Sequence, residues 1–297
     1  MEVSVIKEKK KRARKKTMVA WSFILPNLIG YLIFTFIPIM FSFLLAFAEW
    51  DSFSPIKFVG FDNFKFMLAD KTFWISITNT FKYTAFVVPL TMICALGLAL
   101  LLNKKVKGIA IFRTMFFFPY ITSLVAVAVV WNMLFHPSLG PINQVLLKFM
   151  DSAPGWTTKS QWALTAVIIV SVWRFMGYYM ILYLAGLQGI PKELYEASAI
   201  DGAGKIRQFF DVTLPSLRPT TFFVLIMLTI NSFKVFDLVQ VMTDGGPGRS
   251  TNVLVYQIYQ EAFVNYKFGY ASAVSLVLFV IVLAITIIQF RIEKKNK

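Results

Sequence analysis

The segment Gly202-Ala203-Gly204-Lys205 is the part of this chain that most resembles a nucleotide-binding loop. A phosphate-binding loop has a glycine five residues before its Gly-Lys pair and a serine or threonine directly after it, so that backbone N–H groups and the lysine surround the phosphates. Here those two positions hold Ala199 and Ile206. The segment therefore predicts no ATP site, and ATP hydrolysis is not expected of this chain.

A second set of polar side chains lies inside apolar runs, where charged groups are costly and mark a functional site by default. The set comprises Arg174, Tyr178, Tyr179, Asn231, Lys234 and Asp237. The last three recur every third residue, which predicts that they share one side of a single helix. Asp237 can then pair with Lys234 or with Arg174. Two interpretations are open: the set lines the path of a solute, or it packs as ion pairs or across a subunit interface.

Cysteine and histidine are too few to build a metal or redox centre. The single cysteine, Cys94, lies inside an apolar run and is interpreted as a small packed side chain. The single histidine, His136, ends another run, with no carboxylate or second histidine near it in the sequence. Since paired acid–base groups are also missing, we predict neither a metal site nor a catalytic site.

The composition is that of a membrane protein. Hydrophobic residues make up 57% of the 297 residues, charged residues 15%, and the mean hydropathy is +0.66. A soluble domain is about half apolar and about one quarter charged. A membrane helix needs about 20 mostly apolar residues. Six runs meet this requirement, namely 19–48, 73–102, 109–135, 161–187, 219–243 and 270–290. We predict an all-α polytopic membrane protein with six transmembrane helices, the first kinked at Pro26 and Pro38.

Lysine and arginine predict the orientation, because basic residues accumulate in cytoplasmic loops. Twenty of the 30 basic residues lie in segments 1–18, 103–113, 188–218 and 291–297, which share one side. Both termini are therefore predicted to be cytoplasmic tails, at 1–18 and 291–297, flanking a transmembrane domain at 19–290. The net charge of +15 is attributed to this topology and to anionic lipid rather than to nucleic acid. The outer loops are too short to form a folded ligand-binding domain.

The cytoplasmic segment 189–218 is predicted to form two short helices. Pro191 can begin a helix over 192–200, and Gly202 can end it in a left-handed cap. A second helix is predicted over 205–213. Its two phenylalanines, Phe209 and Phe210, are expected to anchor it under the membrane bundle.

The same segment carries a specific pattern. Glu196-Ala197-Ser198 is followed, after three residues, by Gly202 and, after nine more, by Val212-Thr213-Leu214-Pro215. This pattern resembles the EAA loop of permease subunits in binding-protein-dependent ABC importers, which reads Glu-Ala-Ala, three residues, Gly, nine residues, Ile-x-Leu-Pro. The chain departs from it at Ser198 and Val212, and both replacements nearly conserve side-chain size. Asp201-Gly202-Ala203 and Thr243-Asp244-Gly245-Gly246-Pro247 further resemble the carbohydrate-importing branch of that family.

The resemblance implies the type I ABC importer permease fold with a cytoplasmic coupling helix. It implies that the chain forms half of a translocation path for a carbohydrate, with an oligosaccharide expected, beside a second homologous permease subunit. A cytoplasmic dimer of ABC ATPase subunits would bind ATP and Mg²⁺, so that this chain needs no cofactor and is not an enzyme. A solute-binding protein outside the cytoplasm would deliver the sugar. The implied location is the bacterial cytoplasmic membrane.

The resemblance also assigns roles to residues. Those implied to couple to the ATPase are Glu196, Ala197, Ser198, Asp201, Gly202, Leu214 and Pro215. Glu196 would contact a basic group in the ATPase cleft, and the small residues would set the fit. The polar residues inside the apolar runs become candidates for the sugar path, because sugars bind by stacking on aromatic faces and by polar contacts to their hydroxyls.

Two other classes of protein were weighed. An ion-coupled secondary transporter would carry inverted repeats and ion-coupling carboxylates at mid-membrane. Asp237 is the one carboxylate clearly inside the later apolar runs, and no repeat is visible. An integral membrane enzyme would need converging acid–base groups or metal ligands.

Overall fold

The computed structural model describes residues 2–103 and 108–295, with the backbone alone for residues 2–11 and 13. The described chain is almost entirely helical. Its elements, in chain order, are α1 (Glu2–Tyr31), a π turn (Leu32–Phe36), α2 (Ile37–Leu45), β1 (Ala48–Glu49), β2 (Lys57–Phe58), α3 (Asp62–Ala69), α4 (Lys71–Leu102), α5 (Ile109–Ile121), α6 (Leu124–Leu134), α7 (Pro141–Leu146), α8 (Ser160–Gln188), α9 (Lys192–Ile200), α10 (Lys205–Gln208), a π turn (Phe209–Thr213), α11 (Leu214–Ser216), α12 (Arg218–Phe233), α13 (Asp237–Met242), α14 (Leu254–Tyr259), a π turn (Gln260–Val264) and α15 (Phe268–Lys295).

Among these described residues, four to six helical segments qualify as membrane spans. Four are long and apolar enough on their own, namely Arg14–Leu45, Lys71–Leu102, Ser160–Gln188 and Phe268–Lys295. Two bent pairs qualify if each pair counts as one span: α5 with α6, and the helical stretch Lys205–Ser216 with α12. The lysines at 104, 105, 107 and 297, which contribute to the predicted orientation, lie outside the described residues.

The first span contains the predicted irregularity at proline in the form of a π turn. In Leu32–Phe36 the helix widens, and the N–H of Ile37 donates to the carbonyl oxygen of Leu32. Pro38 follows directly. Proline has no N–H and its ring clashes with the carbonyl four residues earlier in an α-helix. The wider turn therefore allows the helix to continue past Pro38, whereas Pro26 lies inside α1.

The centre of the bundle is formed by α4 and α8, which pack along their length. Tyr83 of α4 is fully buried, and its hydroxyl donates to the Ser171 hydroxyl of α8 at 2.7 Å. On another side of α8, Gly177 lies directly against the carbonyl of Phe116 in α5, where a Cβ would overlap with that oxygen. Helix α8 is thus held in place by close backbone contact as well as by side chains.

The segment between α2 and α3 contains a short β-hairpin, which pairs Ala48 with Phe58 and Glu49 with Lys57. The loop between its strands is fixed by the carboxylate of Asp51. One oxygen of that carboxylate accepts hydrogen bonds from the Ser54 hydroxyl, the Ser54 N–H and the Phe53 N–H. These bonds, with the Ser54 hydroxyl foremost, lower the pKa of Asp51 to about 2. The carboxylate therefore stays ionised at any pH well above that value.

Three helices meet at Asp70. One oxygen of its carboxylate caps the start of α4 by accepting the Thr72 N–H at 2.8 Å. The other oxygen accepts the Tyr270 hydroxyl of α15 at 2.7 Å and the Gln257 amide of α14 at 3.2 Å. A charged acceptor makes such hydrogen bonds stronger than neutral ones. The start of α4 is thereby joined to α14 and α15.

Two of the predicted spans are not single straight helices, which corrects the sequence interpretation. The run 109–135 bends by 99° between α5 and α6. Thr122 is extended there, and its hydroxyl donates to the carbonyl of Pro119, which cannot itself donate a backbone hydrogen bond. The run 219–243 ends as a helix at Phe233 and restarts at Asp237. Hydrophobicity alone indicates length and cannot show such breaks.

Candidate functional site

Helix α9 is exposed at the surface and is not packed into the bundle. Its sequence is Lys-Glu-Leu-Tyr-Glu-Ala-Ser-Ala-Ile. It spans Lys192–Ile200, the bounds predicted from the sequence, and each of its residues is at least partly exposed. Ile200 is 88% exposed and Ile206, just beyond the loop, is 78% exposed. These exposed aliphatic side chains on a polar segment make it a candidate contact surface for another protein.

The C-terminus of α9 is closed by the predicted left-handed cap. Gly202 has φ of +78°. Its N–H donates to the carbonyl of Ala199 at 3.0 Å, and the Ala203 N–H donates to that of Ser198 at 2.9 Å. This pair of bonds is the Schellman arrangement, which needs a residue that tolerates positive φ. A Cβ added at Gly202 would point into open space, so the backbone angle is what requires glycine.

The predicted coupling residues occupy the surface of this segment and its return into the bundle. Glu196, Ala197, Asp201 and Gly202 are exposed, and Ser198 is half-buried with its hydroxyl donating to the Tyr195 carbonyl. Among the residues described, Glu196 has no ion-pair partner. Leu214 and Pro215 lie beyond the π turn, where the N–H of Leu214 donates to the carbonyl of Phe209.

The second helix is anchored differently from the prediction. Phe210 is 59% exposed and Phe209 is only partly buried, so this pair does not hold the helix under the bundle. The buried positions are Thr213 and Leu217. The spacing of the aromatic residues suggested an inner face, but the side chains that face inward are those at the end of the π turn and beyond it.

A charged cavity of about 400 Å³ lies between the broken helices. It brings together Arg174 of α8, Asn231 of α12 and the Lys234 and Asp237 side chains. The remaining lining residues are Tyr83, Tyr120, Leu124, Phe175, Val235, Phe236 and Leu238. Four of the six residues predicted inside the apolar runs therefore share one cavity.

The predicted helix carrying Asn231, Lys234 and Asp237 on one side does not exist, which is a second correction. Lys234 is the residue that ends α12, and Asp237 is the first residue of α13. The N–H groups of Lys234 and Val235 bond to carbonyls three residues earlier, which tightens the last turn before the break. The two side chains reach the cavity from two helix ends, and the described ion pairs do not include one between them.

Arg174 is held by aromatic rings and a carbonyl rather than by Asp237. Its guanidinium donates to the carbonyl oxygen of Tyr120 at 3.3 Å. It also lies 5.6 Å from the ring centres of both Tyr120 and Phe175. An arginine stacked in this way keeps its charge in a partly desolvated site.

The two predicted tyrosines lie beside the cavity and not on its wall. Tyr179 is 1% exposed and its hydroxyl accepts the Asn231 amide at 3.2 Å. Tyr178 stacks on Tyr120, with ring centres 4.4 Å apart. Sequence reasoning missed Tyr83 and Tyr120, because a tyrosine in an apolar run gives no signal of the direction it faces.

Among residues 2–103 and 108–295, no three His, Cys, Asp or Glu side chains are grouped closely enough to hold a metal ion. The chemistry available in the cavity is therefore that of cations, one carboxylate, an amide and aromatic faces. Such a set can bind hydroxyl groups or anionic groups of a solute.

Residues 87–297 match the family described as binding-protein-dependent transport system inner membrane component. The chain belongs to this family. It is thus a permease subunit of a binding-protein-dependent transporter, integral to the cytoplasmic membrane, and the family predicted from the Glu196–Pro215 pattern is confirmed.

Relatives of known sequence match over most of their length. The probable ABC transporter permease protein YesP of Bacillus subtilis is 40% identical over 289 residues, which cover 96% of this chain and 93% of that protein. The sulfoquinovosyl glycerol transport system permease protein SmoG of Agrobacterium fabrum is 36% identical, with 80% of this chain and 77% of that protein covered. The sn-glycerol-3-phosphate permease UgpA of Yersinia pestis is 36% identical, with 80% and 81% covered.

A solved structure shows the same fold. The bacterial alginate ABC transporter, in complex with alginate pentasaccharide-bound periplasmic protein, contains a chain that superposes with a TM-score of 0.84. Sequence identity is 23%, and the match covers 96% of this chain and 97% of that chain. The chain therefore has an ABC importer permease fold.

Proposed function

We propose that this chain is the transmembrane permease subunit of an ATP-driven importer for a carbohydrate, with an oligosaccharide as the expected solute. The observation that carries the proposal is α9, a short capped helix that is displayed at the surface in a segment matching the EAA pattern. A displayed helix of this kind fits a cleft on another protein. The names of the relatives, which include permeases for sulfoquinovosyl glycerol and for sn-glycerol-3-phosphate, support a solute rich in hydroxyl groups.

The proposed topology has six spans, with each bent pair counted as one, and both termini in the cytoplasm. Residues 1–18 and 291–297 are the tails, and 19–290 form the permease domain with its coupling loop at 189–218. The basic residues of the cytoplasmic segments support this orientation.

The proposed assembly has two permease subunits, of which this chain is one, and a dimer of ATPase subunits. ATP and Mg²⁺ bind to the ATPase, and this chain has no catalytic residue or cofactor of its own. Residues Glu196, Ala197, Ser198, Asp201, Gly202, Leu214 and Pro215 form or support the docking surface. A solute-binding protein outside the cytoplasm delivers the sugar.

The proposed sugar path includes the charged cavity. Arg174, Asn231, Lys234 and Asp237 contact the solute from the cavity wall, while Tyr178 and Tyr179 hold the wall in place. Breaks in membrane helices that line a cavity are typical of solute sites in transporters, because the free helix ends supply polar groups there.

The test is to purify the chain from its native membrane in mild detergent. We expect an ATPase subunit and a second permease to copurify. With its solute-binding protein added, the reconstituted complex is expected to take up sugar from a panel of labelled oligosaccharides only with ATP. A chain that purifies alone and transports on an ion gradient would overturn the proposal in favour of a secondary transporter.

A further inference from the structure

We infer that the hydrogen bond between Tyr195 and Thr213 is the link through which α9 moves α12 and one wall of the charged cavity. The inference rests on the proposed docking of α9 with an ATPase. It assigns Tyr195 as a positioning residue for transport, a role that the EAA pattern does not give it.

Apart from its two chain ends, helix α9 contacts the rest of the chain mainly through hydrogen bonds of Tyr195. The Tyr195 hydroxyl lies 2.9 Å from the Thr213 hydroxyl. The Tyr195 carbonyl accepts the Gln208 amide at 3.2 Å and the Ser198 hydroxyl at 2.9 Å. Tyr195 and Ser198 are half-buried, while the other residues of α9 are exposed.

The chain takes an indirect route from α9 to α12. It passes through Gly202, Gly204, α10, a π turn and α11 before α12 begins. The hydrogen bond between Tyr195 and Thr213 crosses this route and joins α9 directly to the residues that lead into α12.

From Thr213 the contact continues into α12. Thr213 is buried, and its carbonyl accepts the Leu217 N–H at 3.0 Å. Leu217 is fully buried at the point where the chain bends by 64°, and its carbonyl accepts the Thr221 N–H at 2.8 Å. The Leu217 side chain packs against Gly186 of α8, where a Cβ would lie 2.9 Å from it.

Helix α12 then reaches the cavity. Its 16 residues span about 24 Å at about 1.5 Å per residue. Asn231 lies in its last turn and Lys234 directly follows it, and both line the cavity. A tilt of α12 about Leu217 therefore moves these two side chains relative to Arg174 on α8. Packed side chains and a rigid helix of this kind are a physical route for coupling.

The experiment uses the complete transporter in lipid nanodiscs and needs no sugar. Amide hydrogen exchange over residues 218–233 is measured with and without ATP and Mg²⁺. In the wild type we expect ATP to change this exchange. In Tyr195→Phe the ATP-dependent change in exchange is expected to fall about fivefold, because a neutral hydrogen bond contributes about 1 kcal/mol, while the ATPase subunits stay bound.

Thr213→Val removes the same bond from the other side with little change in shape, together with a longer bond of 3.4 Å that the Thr213 hydroxyl donates to the Gln208 carbonyl. Its loss should be at least that of Tyr195→Phe, and the double variant should be no worse than Thr213→Val alone, since the bond to Tyr195 is already absent there. Tyr31→Phe, an exposed tyrosine of α1, is the control and should match the wild type.

A wild-type response in both single variants, or additive losses in the double variant, would overturn the inference alone. Loss of bound ATPase in Tyr195→Phe and Thr213→Val would also overturn it, since Tyr195 would then serve assembly only. A wild-type chain that never binds an ATPase would overturn the proposed function, and the inference with it.

Discussion

Helix α9 and the charged cavity are both polar regions of an apolar chain, but they are built in opposite ways. The α9 segment is local: its helix, its glycine cap and the π turn before Pro215 all lie within a short stretch of sequence. The cavity takes side chains from α4, α8, α12 and two further helix breaks. Local structure follows from residue types at fixed spacing, whereas the cavity exists only after the helices have packed.

The largest effect is expected where the bundle is tightest, at Gly177 on the helix that also carries Arg174. In Gly177→Ala the new Cβ overlaps with the Phe116 carbonyl, and backbone cannot yield as a flexible side chain does. Overpacking of this kind costs about 1–3 kcal/mol. We expect a lower free energy of unfolding, measured by denaturant titration of the purified protein in detergent.

Gly97→Ala is the matched control, because Gly97 also lies inside a membrane helix but its Cβ would point into open space. Its stability should equal or exceed that of the wild type. Equal stability of the two variants would show that α5 and α8 do not approach each other as closely as described.

Arg174→Met tests the cavity itself. The change removes the donor to Tyr120 and the charge, but it keeps most of the apolar stem. We expect ATP-driven uptake of the transported oligosaccharide to fall at least about tenfold, with the ATPase subunits still bound. Arg14→Met, at an exposed position of α1, is the control. Full uptake in Arg174→Met would remove this arginine from the sugar path.

Gly202→Val tests the cap of α9. A β-branched residue at a φ of +78° is strained by about 1–2 kcal/mol, so the last turn of α9 should open. We expect sugar uptake to fall about tenfold while the protein still inserts into the membrane. Gly202→Asn should retain most of the uptake, because asparagine tolerates this conformation. Similar uptake in the two variants would contradict a role for the cap in docking.

Glu196→Lys is expected to change stability least, and it tests the proposed docking surface for the ATPase directly. Glu196 is exposed, so the free energy of unfolding should stay within about 0.5 kcal/mol of the wild type. Stimulation of the ATPase should fall several-fold at low salt and recover in part as salt is added, because an attractive pair is replaced by a repulsion that salt screens. Unchanged stimulation at low salt would remove Glu196 from the docking surface.

The sequence predicted both ends of α9. Pro191 favours the start of a helix, Gly202 favours its end, and the residues between them are helix formers. The sequence also singled out six polar residues inside apolar runs as candidates for a solute path, because such residues mark a functional site by default. It did not predict that four of them line one cavity, or how they meet. At Lys234 the helix ends in i→i+3 bonds, and the preceding Phe233 packs on Phe81 of α4, a contact between distant parts of the sequence that no local pattern encodes.

The other wrong prediction concerns Phe209 and Phe210, which begin the π turn Phe209–Thr213. Phe210 is exposed, and the buried side chains are Thr213, at the end of this turn, and Leu217, beyond it. Pro215 could have signalled the π turn, because Pro38 also follows a π turn in the first span.

The carboxylate of Asp70 has a mechanical consequence for one end of the bundle. Because α4, α14 and α15 all bond to this one group, separating them costs hydrogen bonds to a charged acceptor. We therefore expect the three helices to move as one block. With the proposed orientation, we expect an opening toward the outside to form at the edge of this block and not through its middle.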